Sequence, residues 1–264
     1  MYDFNYHKPS SIDEAIALFT DLEDAVYLAG GHTLLPSLKL RLAAPTDVID
    51  LAGIPGLRDI EYAGEDLTIG ALTPHDDVAT SPVVQSVIPA LATLAAGIGD
   101  AQVRNRGTIG GSVANSDPAA DYPAAVLGLG ATLVTNQRSI TADEFFTGMF
   151  ETALEEGELL TAIRFSKPDA AAYVKYPNPA SRYATVGVFI ARTCDGVRVA
   201  ITGAAPSVFR ATEMEAALNA DFSENALEGI SLDADMMNED LHASAEYRAH
   251  LCVVMARRAV QALV

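Results

Sequence analysis

Two glycine pairs, each followed by hydroxyl side chains, are the features of this chain best suited to holding a phosphate. The first lies in Ala29-Gly30-Gly31-His32-Thr33-Leu34-Leu35-Pro36, between an apolar run and a stretch of helical spacing. A strand turning into a helix there brings main-chain N–H groups together on one anion. Adjacent glycines let the backbone come close to a ligand and adopt positive φ. Thr33 adds a hydroxyl, and Pro36 is tolerated in a first helical turn. Taken alone, the segment reads first as a tight turn that holds nothing.

The second pair lies in the stretch 104–123, RNRGTIGGSVANSDPAADYP. Here Thr108-Ile109-Gly110-Gly111-Ser112 is followed by Asp117 and Asp121. A diphosphate needs donors, whereas ribose and ribityl hydroxyls need acceptors, and this stretch supplies both. The competing reading is a long surface loop of small residues. Such loops are uncommon in compact domains unless they are functional.

Better-known phosphate and nucleophile motifs are absent. Neither loop is G-x-G-x-x-G or G-x-x-x-x-G-K-[ST], so a Rossmann dinucleotide site and a P-loop are not indicated. Gly110-Gly111-Ser112-Val113-Ala114 falls one residue short of G-x-S-x-G, and no catalytic residue is assigned. His7, His32, His75, His242 and His250 lack metal-site spacing, so no metal is expected. Asp76 and Asp77 read as a solvated helix start. Cys194 and Cys252 cannot hold an iron–sulfur cluster and are expected to pack as small hydrophobes.

The elements around the loops are partly legible. Ser11 and Glu14 fit a capping box, with Ile12, Ala15, Ile16 and Phe19 on one helical face. Residues 25–29 and 47–51 read as strands flanking the first loop and its short helix. Runs 57–62 and 67–69 around Gly64 make a hairpin, and 82–97 reads as one long buried helix. Residues 122–129 look helical, and 131–135 and 158–165 look like strands. Thr141 and Glu144 suggest another capping box. Past Lys167-Pro168-Asp169, strands at 184–192 and 197–204 surround Cys194-Asp195-Gly196. A closing helix spans 245–264, with Leu251, Val254, Met255 and Val260 inward. With no regular βαβ alternation, the class is α+β.

Of the 264 residues half are hydrophobic, enough for a large core, and the formal charge of −18 disfavours nucleic acid or anionic lipid as a partner. The N-terminus lacks the apolar centre of a signal peptide, and no segment is apolar enough to span a bilayer. The expectation is a cytoplasmic protein without membrane insertion.

Together, AGGHTLLPSLKLRL (29–42) and RNRGTIGGSVANSDPAADYP resemble the paired loops of one flavoprotein family. These are the FAD subunits of carbon monoxide dehydrogenase and the xanthine dehydrogenase family. The likeness extends to VIDL at 48–51, LTIGALTPHDDV at 67–78, EGELLTAIRF at 156–165 and the helical C-terminus.

That resemblance implies a two-lobed FAD-binding domain, residues 1–55 and 56–167, followed by a smaller α+β domain at 168–264. FAD would lie between the first two lobes. Ala29, Gly30, Gly31, His32, Thr33 and Leu34 would face Thr108, Ile109, Gly110, Gly111 and Ser112 across its diphosphate. Asp117 and Asp121 would accept from its hydroxyls, and Leu160 would line the site. Lys175 would stand near the flavin end and Tyr183 beside the isoalloxazine ring. Many relatives carry an acidic residue where this chain has Arg182. The implied partners are a small subunit with [2Fe-2S] clusters and a large subunit with the molybdenum cofactor. Two other readings stay open on the residues alone: a self-contained FAD oxidase or dehydrogenase, and a nucleotide-binding module without redox chemistry.

Overall fold

The computed structural model describes residues 1–263; residue 264, the end of the expected last helix, lies outside them. The chain opens with β1 (Asn5–His7), α1 (Ile12–Asp21), β2 (Ala25–Leu28), α2 (Leu34–Lys39) and β3 (Asp47–Asp50). The strands form a parallel sheet in the order β1-β3-β2. Parallel neighbours need crossovers, and α1 and α2 provide them. Ser11 accepts from Glu14 N as expected, but the Glu14 carboxylate reaches Ser10 N at 2.7 Å instead of closing the box on Ser11. Ala15, Ile49 and Leu51 form a small core that borrows Leu57, Leu72 and Leu159 from the next lobe.

That lobe holds β4 (Ile60–Ala63), β5 (Asp66–Gly70), α3 (His75–Thr80), α4 (Pro82–Val87) and α5 (Pro89–Ala96). Next come α6 (Ala101–Arg106), α7 (Ile109–Asn115), α8 (Tyr122–Gly128), β6 (Thr132–Thr135), β7 (Ser139–Thr141) and α9 (Ala142–Phe145). The hairpin β8 (Phe146–Gly148) and β9 (Glu151–Thr152) precedes β10 (Leu160–Ser166). An antiparallel sheet, β4-β5-β10-β6-β7, backs the helices. One expectation and one competing reading fail here. The single helix over 82–97 is broken at Ile88 (φ −137°, ψ 76°), because a residue before proline is pushed out of the helical region. The segment from 99 to 121 is mostly helical, in α6 and α7, and is not a long loop. At the second expected capping box, Thr141 hydrogen-bonds the Glu144 side chain at 2.7 Å but caps no helical N–H.

The last part contains β11 (Ala170–Pro177), β12 (Ala184–Thr193), β13 (Gly196–Thr202), β14 (Phe209–Arg210), α10 (Thr212–Ala220) and α11 (Ala245–Gln261). Its antiparallel sheet runs β11-β12-β13-β14. Alternate residues of β12 serve two cores. Val186, Val188 and Ile190 pack with Leu251, Met255 and Val260 of α11, whereas Phe189 and Ala191 join the core of the preceding lobe. Burying one such side chain contributes roughly 1.5–3 kcal/mol. Double burial explains why residues 186–191 of β12 form an unbroken apolar run. Val254 is only half-buried, and Cys252, Ala256 and Ala259 complete the inner face of α11. Cys252 is buried as expected, but Cys194 is exposed in its turn. Among the described residues no helix is long and apolar enough to cross a membrane.

Candidate functional site

A cleft of about 620 Å³ opens between the first two groups of elements, and both glycine loops line it. The first loop leaves β2 and enters α2. Its Gly31 has φ +76°, a conformation that side chains with a Cβ rarely adopt. Gly30 has no room for a side chain: a Cβ there would stand 2.2 Å from Arg106 O and 2.8 Å from Gly107 Cα. On the other side, a Cβ on Gly111 would come within 3.6 Å of Ala29 Cβ. The two loops therefore touch through their glycines.

Hydrogen bonding separates the two loops by role. The main-chain N–H groups of Gly30, Gly31, His32, Thr33 and Leu34 have no acceptor among the described residues. In the second loop most are already used. Ile109 N donates to Thr73 O (3.0 Å), Gly110 N to Ala71 O (2.8 Å), Gly111 N to Thr108 Oγ1 (3.1 Å) and Ser112 N to Thr108 O (3.0 Å). The start of α7 is thus an anchored wall. What it leaves toward the cleft are the hydroxyls of Thr108 and Ser112.

The carboxylates follow. Asp117 lines the cleft, its Oδ1 accepting from Ala119 N at 2.9 Å. Asp121 lines it too, almost fully buried. The Tyr173 hydroxyl donates to Asp121, and Lys175 Nζ stands 3.0 Å from its Oδ1. Burial lifts the Asp121 carboxyl above the usual aspartate range, while Lys175 and Tyr173 pull it back. Lys175 also donates to Gly97 O (2.8 Å) and Arg182 O (3.1 Å), and it is not among the residues lining the cleft. Ile109 does not line it either, its side chain being fully buried in the core. The other residues expected at the site all line the cleft: Ala29, Gly30, Gly31, His32, Thr33, Leu34, Thr108, Gly110, Gly111, Ser112, Asp117, Asp121, Leu160 and Tyr183. Tyr183 also borders a second cavity of about 370 Å³, shared with Asp117 and Ser181.

Three more lining residues bear on the site: Arg182, which the resemblance sets beside Tyr183, and Glu158 and His75, which the sequence did not single out. Arg182 has φ 63° and its guanidinium lies 3.4 Å from Gly99 O. Glu158 is held well below the usual glutamate range, at about 2, chiefly by Arg138, with Thr135 and Glu155 N adding bonds. His75 is the third. Burial, with His32 and Arg104 nearby, brings its imidazole down to about 4. Its folded value lies below the ordinary 6.5, so the unfolded chain takes up the proton first as pH falls. Stability is unaffected above that range and drops between 6.5 and 4, by about 3 kcal/mol over the whole window. Urea denaturation of flavin-free protein should show this slope between pH 6.5 and 5, and His75→Gln should flatten it. Parallel profiles for the two proteins would refute the assignment.

Comparison with known proteins agrees with this architecture. Residues 2–168 match the family described as the FAD binding domain in molybdopterin dehydrogenase. Residues 171–263 match the CO dehydrogenase flavoprotein C-terminal domain. The carbon monoxide dehydrogenase medium chain of Hydrogenophaga pseudoflava is 38% identical over 98% of this chain and 96% of its own. The nicotine 6-hydroxylase medium subunit of Paenarthrobacter nicotinovorans is 34% identical over 97% and 95%. Among solved structures, carbon monoxide dehydrogenase from Hydrogenophaga pseudoflava, in a form lacking the Mo-pyranopterin moiety of its cofactor, superposes with a TM-score of 0.91. That match has 39% identity and covers 99% of this chain and 97% of the other. The fold and the family matches define an FAD-binding protein of the α+β type. The chain belongs to the FAD-binding medium subunits of the molybdenum hydroxylases, the family of carbon monoxide dehydrogenase and xanthine dehydrogenase.

Proposed function

We propose that this chain holds FAD in the cleft between residues 1–55 and 56–167. There it takes electrons from an iron–sulfur small subunit, itself fed by a molybdenum-binding large subunit, and passes them to an external acceptor. We assign the complex to the cytoplasm, and residues 168–264 form a third lobe that brings Ser181, Arg182 and Tyr183 to the cleft. The observation that carries this reading is the run from Gly30 to Leu34, whose amides have no acceptor among the described residues, lining with Thr108 and Ser112 one cleft of about 620 Å³. A diphosphate matches that donor set, and the volume is within the roughly 300–1,000 Å³ of small-molecule sites.

FAD, when bound, supplies chemistry in both one- and two-electron steps. The residues around it bind and orient. Gly30 to Leu34 donate main-chain N–H groups to the diphosphate, and Thr33, Thr108 and Ser112 add hydroxyls. Asp117 and Asp121 accept from ribose or ribityl hydroxyls; Asp121 has lone pairs to spare beyond those taken by Tyr173 and Lys175. Tyr183 packs against the isoalloxazine ring. Leu160 and the neighbouring apolar wall exclude water.

Purifying the full chain with its partner subunits and recording the visible spectrum tests the reading. The expected result is a yellow protein that releases FAD and is bleached when the reduced iron–sulfur subunit is added. A colourless protein that takes up no FAD even in the complex would overturn it.

A further inference from the structure

Beneath the point where the two loops meet lies a polar cluster with no partners. The Thr73 Oγ1, His75 Nδ1 and Tyr122 hydroxyl atoms are all buried without a hydrogen bond among the described residues. The rings of His75 and Tyr122 lie 5.3 Å apart. His75 is only 5% exposed, yet it is one of the residues lining the cleft. Its main-chain N donates to Gly107 O at 2.9 Å, and the ring edge carrying Nε2 lies against Gly107 so closely that a Cβ there would sit 2.6 Å from Nε2. Gly107 itself lines the cleft and touches Gly30. One imidazole nitrogen therefore points into the core and the other toward the junction of the loops.

We propose that His75 is a further cofactor-binding residue, a neutral imidazole whose Nε2–H donates to the diphosphate held between the loops. This rests on the FAD reading above. Burial keeps the ring uncharged near neutral pH, so it carries a single proton. Among the described residues no acceptor lies within hydrogen-bond reach of Nδ1, and a buried N–H left unpaired is rarer than an unpaired acceptor. That places the proton on Nε2, where an anionic acceptor would complete it. Gly107 then has a second purpose: the absence of a side chain lets the ring reach the loop junction.

The test compares FAD with riboflavin, which lacks the diphosphate, by fluorescence quenching on flavin-free full-length protein. His75→Leu is expected to weaken FAD binding about ten- to a hundred-fold while leaving riboflavin unchanged. His75→Gln, whose amide nitrogen can take the Nε2 position, should stay within about three-fold of wild type for FAD. Nitrogen-15 spectra of histidine-labelled wild-type protein give a readout that needs no variant. They should show a neutral, Nε2-protonated ring whose Nε2 resonance moves with FAD and not with riboflavin. Protonation at Nδ1, unaltered FAD affinity in His75→Leu, or equal loss of both flavins would overturn the proposal while leaving the FAD site standing. Wild-type protein that binds no FAD would remove the site itself.

Discussion

Gly30→Val is expected to yield a protein that folds but emerges without flavin, its affinity for FAD reduced at least a hundred-fold. The cause is contact. A Cβ at this position would overlap Arg106 O at 2.2 Å and Gly107 Cα at 2.8 Å, and these are backbone atoms that cannot swing aside. The first loop must back away from the second, and the amides of Gly30 to Leu34 then no longer converge. Losing two or more hydrogen bonds to a charged group, at about 1.5–3 kcal/mol each, accounts for a change of this size. The global fold should survive, because the small core of Ala15, Ile49 and Leu51 lies outside this contact. Gly31→Val differs in mechanism. Its nearest neighbours are the Leu28 and Leu35 side chains, which can move, so the cost comes mainly from φ +76°. It is expected to lower FAD affinity sharply, but less than Gly30→Val. Titration of flavin-free protein with FAD, together with far-UV circular dichroism, decides both cases. Wild-type affinity in folded Gly30→Val would dismiss the loop apposition as the basis of binding.

Local sequence made some of the fold legible and tertiary partners decided the rest. The run 184–192, the turn Asp195-Gly196 and the run from 197 read as a hairpin because apolar strands around a glycine turn leave little alternative. β1 escapes such reading. It is three residues long, polar, and is held by its pairing with β3 in Asn5↔Asp47 and Tyr6↔Val48. The break at Ile88 was available from Pro89, but an otherwise continuous apolar run masked it. α7 was hidden for the opposite reason: glycines and small polar residues are weak helix formers, and what secures it is Ala71 and Thr73 accepting its first N–H groups.

The same division holds at the cleft. Glycine pairs flanked by hydroxyls announce close backbone approach, and both pairs do line the cleft. Which amides remain free could not be read, because Thr73 O and Ala71 O are brought to α7 only by the fold. His75 looked like one more isolated histidine beside two solvated aspartates; its burial depends on Gly107, far along the chain. Lys175 is the clearest case. The resemblance alone sets it near the flavin end, and only the fold shows its ammonium on Asp121, Gly97 O and Arg182 O.

That arrangement makes Lys175→Met the other substitution of large effect. The ammonium is the cation opposite a carboxylate that is only 5% exposed. Removing one partner of a buried pair costs about 3–5 kcal/mol, which for a chain of this length lowers Tm by roughly 10 °C. The pH dependence identifies the cause. Without Lys175 the Asp121 carboxyl, already lifted by burial, rises further, whereas in the unfolded chain it ionises near 3.8. A folded value above the unfolded one means that stability falls as pH rises, so the deficit should be small near pH 4 and grow toward neutrality. Asp121→Asn in the same chain removes the uncompensated charge. The double variant should recover much of the loss and show a flatter pH profile, although Gly97 O and Arg182 O remain without their donor. Thermal denaturation of the four proteins between pH 4.5 and 8, without flavin, provides the cycle. A Lys175→Met protein as stable as wild type would mean that the ammonium is not holding Asp121.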